Sequence, residues 1–254
     1  MLPGIAQLVT ALDLPGSCRL DQRVPKKLVI EHGAPTAADK RHISDGIDEL
    51  HWLAALKPTT MGVPEFRDQE REYLEIAVLQ LVLRPAAKAP RLMELVHRAV
   101  PYPVLLLFQH GDRFGLSATH KRWSQGESGK IVLEGEVVAA NWDRQTDCEF
   151  WGQFRDALAL GKQPRASLYA LYQGWIDIVL ALHAARITGA FALPASHEGA
   201  SARSEALREI AKLDEAIARL RAAATKEKQV ARVIALNLEL KRAEANRATA
   251  YAKL

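Results

Sequence analysis

Pro101 to Trp123, PYPVLLLFQHGDRFGLSATHKRW, constrains the fold of this chain more than any other stretch. Val104 to Phe108 is a continuous apolar run, which suits a strand covered on both faces. His110-Gly111-Asp112-Arg113 supplies a turn, with Gly111 free to take positive φ. From Phe114 to Arg122 the side chains alternate as they do on a strand. One face carries Phe114, Leu116 and Ala118, and the other carries Gly115, Ser117, Thr119 and Lys121. A basic cluster, His120-Lys121-Arg122, closes the second run.

A hairpin of this kind needs neighbours, and the flanking sequence offers them. Val24 to Glu31 reads as a strand with Pro25 at its start, where a missing N–H is tolerated. His51 to Lys57 reads as extended, and Tyr73 to Arg84 as a buried strand bounded by Pro85. Lys130 to Ala140 completes a set of six. Helices are expected between them. Residues 2–12 form a short one before Pro15-Gly16. Thr36, followed by Asp39, opens another in which Ile43, Ile47 and Leu50 share a face. Pro90 opens a third with Leu92, Leu95, Val96 and Ala99 on one side. After residue 140 the pattern turns wholly helical. Thr146 with Glu149 makes a capping box before Phe150, Phe154 and Leu158, and a longer helix runs from about Arg165 to Ile187.

Gly189 to Ser201 reads as a linker. Beyond it Leu207, Ile210, Leu213, Ile217 and Leu220 step by three or four residues, and a second stripe runs through Val230, Val233 or Ile234, Asn237 and Leu240. This is a heptad-like pattern. It belongs either to one long helix or to a helical hairpin, and only Thr225 after a run of alanines hints at a break. Asn237 is placed either to set pairing register or to face water.

The sequence therefore predicts an α/β (α+β) domain over residues 1–190. Its sheet is mixed, mostly antiparallel and five- or six-stranded, flanked by helices, with the 103–122 hairpin central. A linker over 191–202 leads to a coiled-coil or hairpin tail over 203–254.

Charge bears on the tail alone. Of 34 Lys+Arg and 30 Asp+Glu, 12 and 7 lie at 200–254, a net +5, leaving 22 and 23 elsewhere, a net −1. The main domain thus gives no charge-based case for nucleic acid. The tail's charges are interleaved, as on the exposed side of paired helices, which favours protein partners over nucleic acid. Cys18 and Cys148 form no framework, which fits a reducing, cytoplasmic setting. The first residues lack a basic segment and a long apolar run, so no signal peptide is expected, and no apolar run reaches the length of a membrane span.

Recognised chemistry is scarce. None of the eight histidines pairs at three- or four-residue spacing, and no cysteine lies near one, so no metal site is expected. No Walker-type or dinucleotide loop and no nucleophile elbow occurs, so no cofactor is expected. A Mg²⁺-dependent nuclease needs two carboxylates on the metal and a nearby lysine. Glu75, Glu134, Glu136 and Lys121 are the residues available for it, the middle pair being i, i+2 on one strand. No acid-x-Lys stands on a candidate strand in the expected order. The Ser117, Thr119, Lys121 and Arg122 group is a candidate site for a phosphate or an acidic partner, or else a charged strand end that keeps an edge soluble.

Four segments carry a family resemblance: VPKKLVIE (24–31), LMELVHRAVPYPVLLLF (92–108), LSATHKR (116–122) and KEKQVARVIALNLELKR (226–242). They resemble a bacterial family known as domain of unknown function 4391. Members of that family are typically encoded beside helicases and DNA methyltransferases in restriction-like or phage-defence clusters. The resemblance implies a non-catalytic accessory or adaptor subunit that docks such partners through its tail. It brings no catalytic residues with it. The Mg²⁺-dependent nuclease or nucleic-acid-binding domain is the alternative, and homodimerisation through the tail a third reading.

Overall fold

The computed structural model describes residues 4–127, 129–144 and 148–254. These fall into two compact units, one ending at Val179 and the other running from Leu180 to Leu254.

The first unit contains, in order, α1 (Ile5–Ala11), β1 (Arg19–Arg23), α2 (Lys26–Gly33), α3 (Ala37–Gly46), β2 (Ile47–Leu56), α4 (Pro58–Met61), β3 (Phe66–Arg67), β4 (Glu72–Tyr73), β5 (Ile76–Leu83), α5 (Ala89–Ala99), β6 (Val104–His110), β7 (Arg113–Trp123), β8 (Ile131–Asp143), α6 (Trp151–Ala157) and the start of α7 (Leu168–Thr188). Six strands form one sheet in the order β1-β2-β5-β6-β7-β8, and β3 and β4 form a small ribbon. All pairings in the large sheet are antiparallel except β5 with β6. Helix α5 makes that one crossover, as a parallel pair requires.

Both faces of the sheet are covered, which explains the unbroken apolar runs of β5 and β6. On one face Ala77, Leu79 and Leu81 of β5 and Val104, Leu106 and Phe108 of β6 pack with Val29 of α2, Ile43 of α3 and Leu92, Leu95 and Val96 of α5. On the other, Phe114 and Trp142 stack at 5.8 Å and meet Trp151 and Phe154 of α6.

Two elements depart from the sequence reading. The segment expected as a strand at 24–31 is helix α2, and the sixth strand is β1, whose residues are all exposed. Leu28-Val29-Ile30 is β-branched enough to read as extended, yet only Val29 of the three is buried. Docking on α5 decides the matter. A Cβ at Gly33 would stand 2.5 Å from Leu95 O, so the bare glycine lets α2 lie against α5. Helix α3 starts as expected, Thr36 accepting from Asp39 N at 3.1 Å. It stops at Gly46, so Ile47 and Leu50 are buried from β2 instead of from a helix. Thr146 lies outside the described residues, and α6 begins at Trp151.

The second unit is dominated by α8 (His197–Lys226) and α9 (Val230–Tyr251). Residues 189–196 carry no helix or strand, and Ser196 caps α8 by accepting from Gly199 N at 3.1 Å. The tail is a helical hairpin. Its bend falls at Glu227–Gln229, where the Glu227 carboxylate accepts from Lys228 N and Gln229 N at 2.8 and 2.9 Å. The helices run antiparallel, linked by Arg221–Glu244, Asp214–Arg247 and Glu209–Lys253.

Candidate functional site

The alternation of β7 carries its side chains to two different environments. Phe114, Leu116 and Ala118 are buried on the α6 side, while Ser117 and Lys121 reach α5. Ser117 Oγ lies 3.0 Å from His97 Nε2. Lys121 Nζ donates to His97 O at 2.6 Å and to Val100 O. These are among the last carbonyls of α5, groups with no partner inside the helix. A cation there also opposes the negative end of the helix dipole. Burial pushes the Lys121 ammonium down to about 7. Burial, and then the charge of Lys121, push the His97 imidazole down to about 3. His97 is fully buried, and its Nδ1 has no hydrogen-bond partner among the described residues. His97 and Lys121 stand at the wall of a cleft of about 1350 Å³ between α5 and β8, which Glu136, Val137, Ala139 and Asn141 also line.

Thr119 occupies the point where the ladder opens. On one side β8 carries three residues, Gly135 to Val137, against Thr119 alone, and Gly135 takes φ 77° to make this bulge. On the other side Tyr172 of α7 inserts its hydroxyl between β6 and β7. The hydroxyl lies 2.7 Å from Val104 O and 3.1 Å from Thr119 O, and it accepts from Thr119 N at 3.0 Å. Tyr172→Phe is expected to cost about 1–3 kcal/mol, the penalty for stranding buried backbone groups. Urea unfolding followed by tryptophan fluorescence measures it, and a loss below about 0.5 kcal/mol would contradict this bridging role.

His120 points the other way, into a polar aromatic cluster beside β3 and β4. The Gln173 amide donates to Asp177 Oδ1 at 2.8 Å, so its Oε1, 2.7 Å away, accepts from His120 Nε2–H. The other ring nitrogen, Nδ1, then accepts from the Tyr73 hydroxyl at 2.5 Å. Tyr169 stacks on His120 at 4.9 Å and on Phe66 at 4.8 Å. Arg71 grips Glu134 through two bonds of 2.7 and 2.5 Å, holding that carboxyl below its usual range. Burial lowers His120 and raises Tyr73.

The four residues considered for a nuclease have these partners and places. Glu75 pairs with Lys57 at 3.2 Å, Glu134 is taken up by Arg71, Lys121 caps α5, and Glu136 lines the cleft. The Gly135 bulge breaks the i, i+2 relation between Glu134 and Glu136. Among the described residues no group of three or more His, Cys, Asp or Glu side chains is placed to hold a metal ion. Arg122 is half-buried and donates to Trp123 O at 3.1 Å. The spacing of Leu168, Leu171, Tyr172 and Trp175 places Tyr172 on the apolar stripe of α7, but nothing local announces that its hydroxyl bridges β6 and β7, nor the roles of His97 and Arg71.

In the second unit, Ile210 and Ile217 of α8 are buried and Leu207, Leu213 and Leu220 half-buried, as their spacing predicts. The inward row of α9 is Val233, Leu236, Leu240, Ala243, Arg247 and Ala250. Of the second stripe, Val233 and Leu240 therefore face α8. Asn237 is exposed, and Val230, Ile234 and Leu238 are 74%, 56% and 54% exposed. Helix α9 thus has two apolar rows, of which α8 uses one. Among the described residues no helix is long and apolar enough to cross a membrane.

No curated protein and no solved structure matches the chain. The profile of the family described as domain of unknown function (DUF4391) matches residues 12–246, and the chain belongs to that family.

Proposed function

We propose that this chain is a non-catalytic accessory subunit that holds protein partners through its helical hairpin. The observation that supports this is the outward row of α9. Three large apolar side chains, Val230, Ile234 and Leu238, stand in water on a helix whose other side is already satisfied. Contiguous apolar surface of this kind is a mark of an interaction site. The first unit favours the same reading, because Lys121 and Glu134 are spent on internal work. Lys121 closes a helix and Glu134 neutralises Arg71. The partner class follows from the family resemblance: helicase or DNA methyltransferase components of a restriction or phage-defence system. Two free cysteines, Cys18 and Cys148, favour a cytoplasmic setting.

Co-expression with the products of the neighbouring genes, a helicase or DNA methyltransferase being the expected partner, tests the proposal. The paired substitution Ile234→Asp and Leu238→Asp is expected to cut co-purification by about tenfold or more, as desolvated apolar anchors dominate such contacts. Thermal stability is expected to stay within about 0.5 kcal/mol of the parent, since both sites are exposed. Undiminished recovery of the partners by the variant would overturn the role of the hairpin.

A further inference from the structure

The outward face of α9 has a charge as well as a shape. At 3.6 residues per turn, Val230, Ile234, Leu238, Lys241 and Arg242 fall within about 120° of one another around the helix. Lys241 and Arg242 are exposed and carry no ion pair among the described residues. That sector holds no carboxylate. Of the two acids on α9, Glu244 pairs with Arg221 across the hairpin, and Glu239 lies outside the sector. The face is therefore an apolar row of two turns, followed one turn later by two unmatched cations.

We infer that this face takes an acidic amphipathic helix of a partner protein, which lies along α9 and completes a three-helix bundle. The inference rests on the accessory role proposed above and adds the chemistry of the partner. The row has i, i+4, i+8 spacing, the pattern that a helix laid in a groove reads from its neighbour. The partner supplies an apolar seam to cover it and Asp or Glu one turn beyond to meet Lys241 and Arg242. Charges at the rim of a helix seam select the partner. A second copy of α9 fits less well, because its own outward face brings no carboxylate and leaves all the cations unmatched.

The test uses the full chain and two designed helical peptides of about 21 residues, three heptads long. They share a leucine seam, and their flanking positions are Glu in one and Lys in the other. Fluorescence anisotropy is expected to show the Glu peptide binding about tenfold or more tighter than the Lys peptide. The preference should shrink near 1 M salt, where the Debye length is about 3 Å. Lys241→Glu with Arg242→Glu is expected to reverse it, and Ile234→Asp with Leu238→Asp to abolish binding of both peptides. Equal binding of the two peptides overturns the inference. So does failure of both to bind when light scattering shows a dimer that the Ile234/Leu238 variant dissociates. If the genomic neighbours still co-purify through the hairpin in either case, the accessory role stands and only the acidic-helix partner falls.

Discussion

The first unit is expected to become more stable as the pH rises from about 7 towards 10, by up to about 1.4 kcal/mol per pH unit, because of Lys121 alone. Its amine titrates near 7 in the folded chain against an ordinary value of 10.5. Between those values the unfolded chain holds a proton that the folded chain has released. Stability therefore rises with pH across that window. The contribution is complete above 10.5 and is lost as pH falls to about 7. Three other groups bound the profile. Buried Tyr73 and Tyr172 have raised phenol values, so the unfolded chain ionises first above about 10 and stability falls again. Below 6.5 an unfolded His97 takes a proton that the buried ring, held to about 3, refuses, and stability declines on the acid side.

All five tryptophans, at 52, 123, 142, 151 and 175, lie in the first unit, so urea unfolding followed by their fluorescence reports it selectively. Midpoints at pH 7, 8 and 9 are expected to climb. Lys121→Met keeps the apolar stem and is expected to flatten that climb. A wild-type midpoint that is level or falls over this range would rule out the depressed amine.

The second large effect is expected at Gly115, where Ala should cost about 3 kcal/mol or more. A Cβ there would stand 2.0 Å from Ala140 O, 2.9 Å from Asn141 Cα and 2.9 Å from Phe108 Cζ. Two of these atoms belong to the β8 backbone, which cannot yield as a side chain does. The β7–β8 ladder would have to part where Trp142 and Phe114 close the core. That loss is a large share of the roughly 5–15 kcal/mol that holds a domain folded. Gly152→Ala is the matched control. It lies in α6 with nothing within 4 Å of an added Cβ, and the same change should stabilise by up to about 1 kcal/mol. Thermal unfolding of the two variants compares them directly. A Gly115→Ala protein within about 1 kcal/mol of the parent would show that the ladder yields.

How far the sequence carries depends on the range of the interaction. The β6–β7 hairpin was legible to within one or two residues at each strand end, the ladder extending through His110 and Arg113. His110 pairs with Arg113 around Gly111 at φ 60°, and the two faces of β7 divide as alternation requires. Period-two sterics and turn chemistry are local, so they are written locally. The α8 stripe was equally legible for the same reason. The inward row of α9 was legible only in part. Val233 and Leu240 stood out, but Leu236 is matched in size by Ile234 and Leu238 on the outward side, and only contact with α8 separates them. Ala243 and Ala250 carry little hydrophobic signal, yet both are buried and let the two helices approach closely.

The candidate site shows the same division. The residues of the polar β7 face were identifiable, but their partners come from α5 and α7, about 20 to 50 residues away along the chain. The bulge at Gly135 separates Glu134 from Glu136, and the glycine inside the strand is its one local sign.

The sequence by itself determined a mixed sheet with helices on its faces, the hairpin at 103–122 and a helical tail, because hydrophobic period and turn residues act over a few positions. Only the tertiary structure decided that residues 26–33 are a helix, that Lys121 is a buried cap for α5, and that α9 keeps one apolar row for α8 and shows another to solvent. Each of those outcomes depends on what lies across the contact, and burial, close approach and charge pairing are properties of two segments at once.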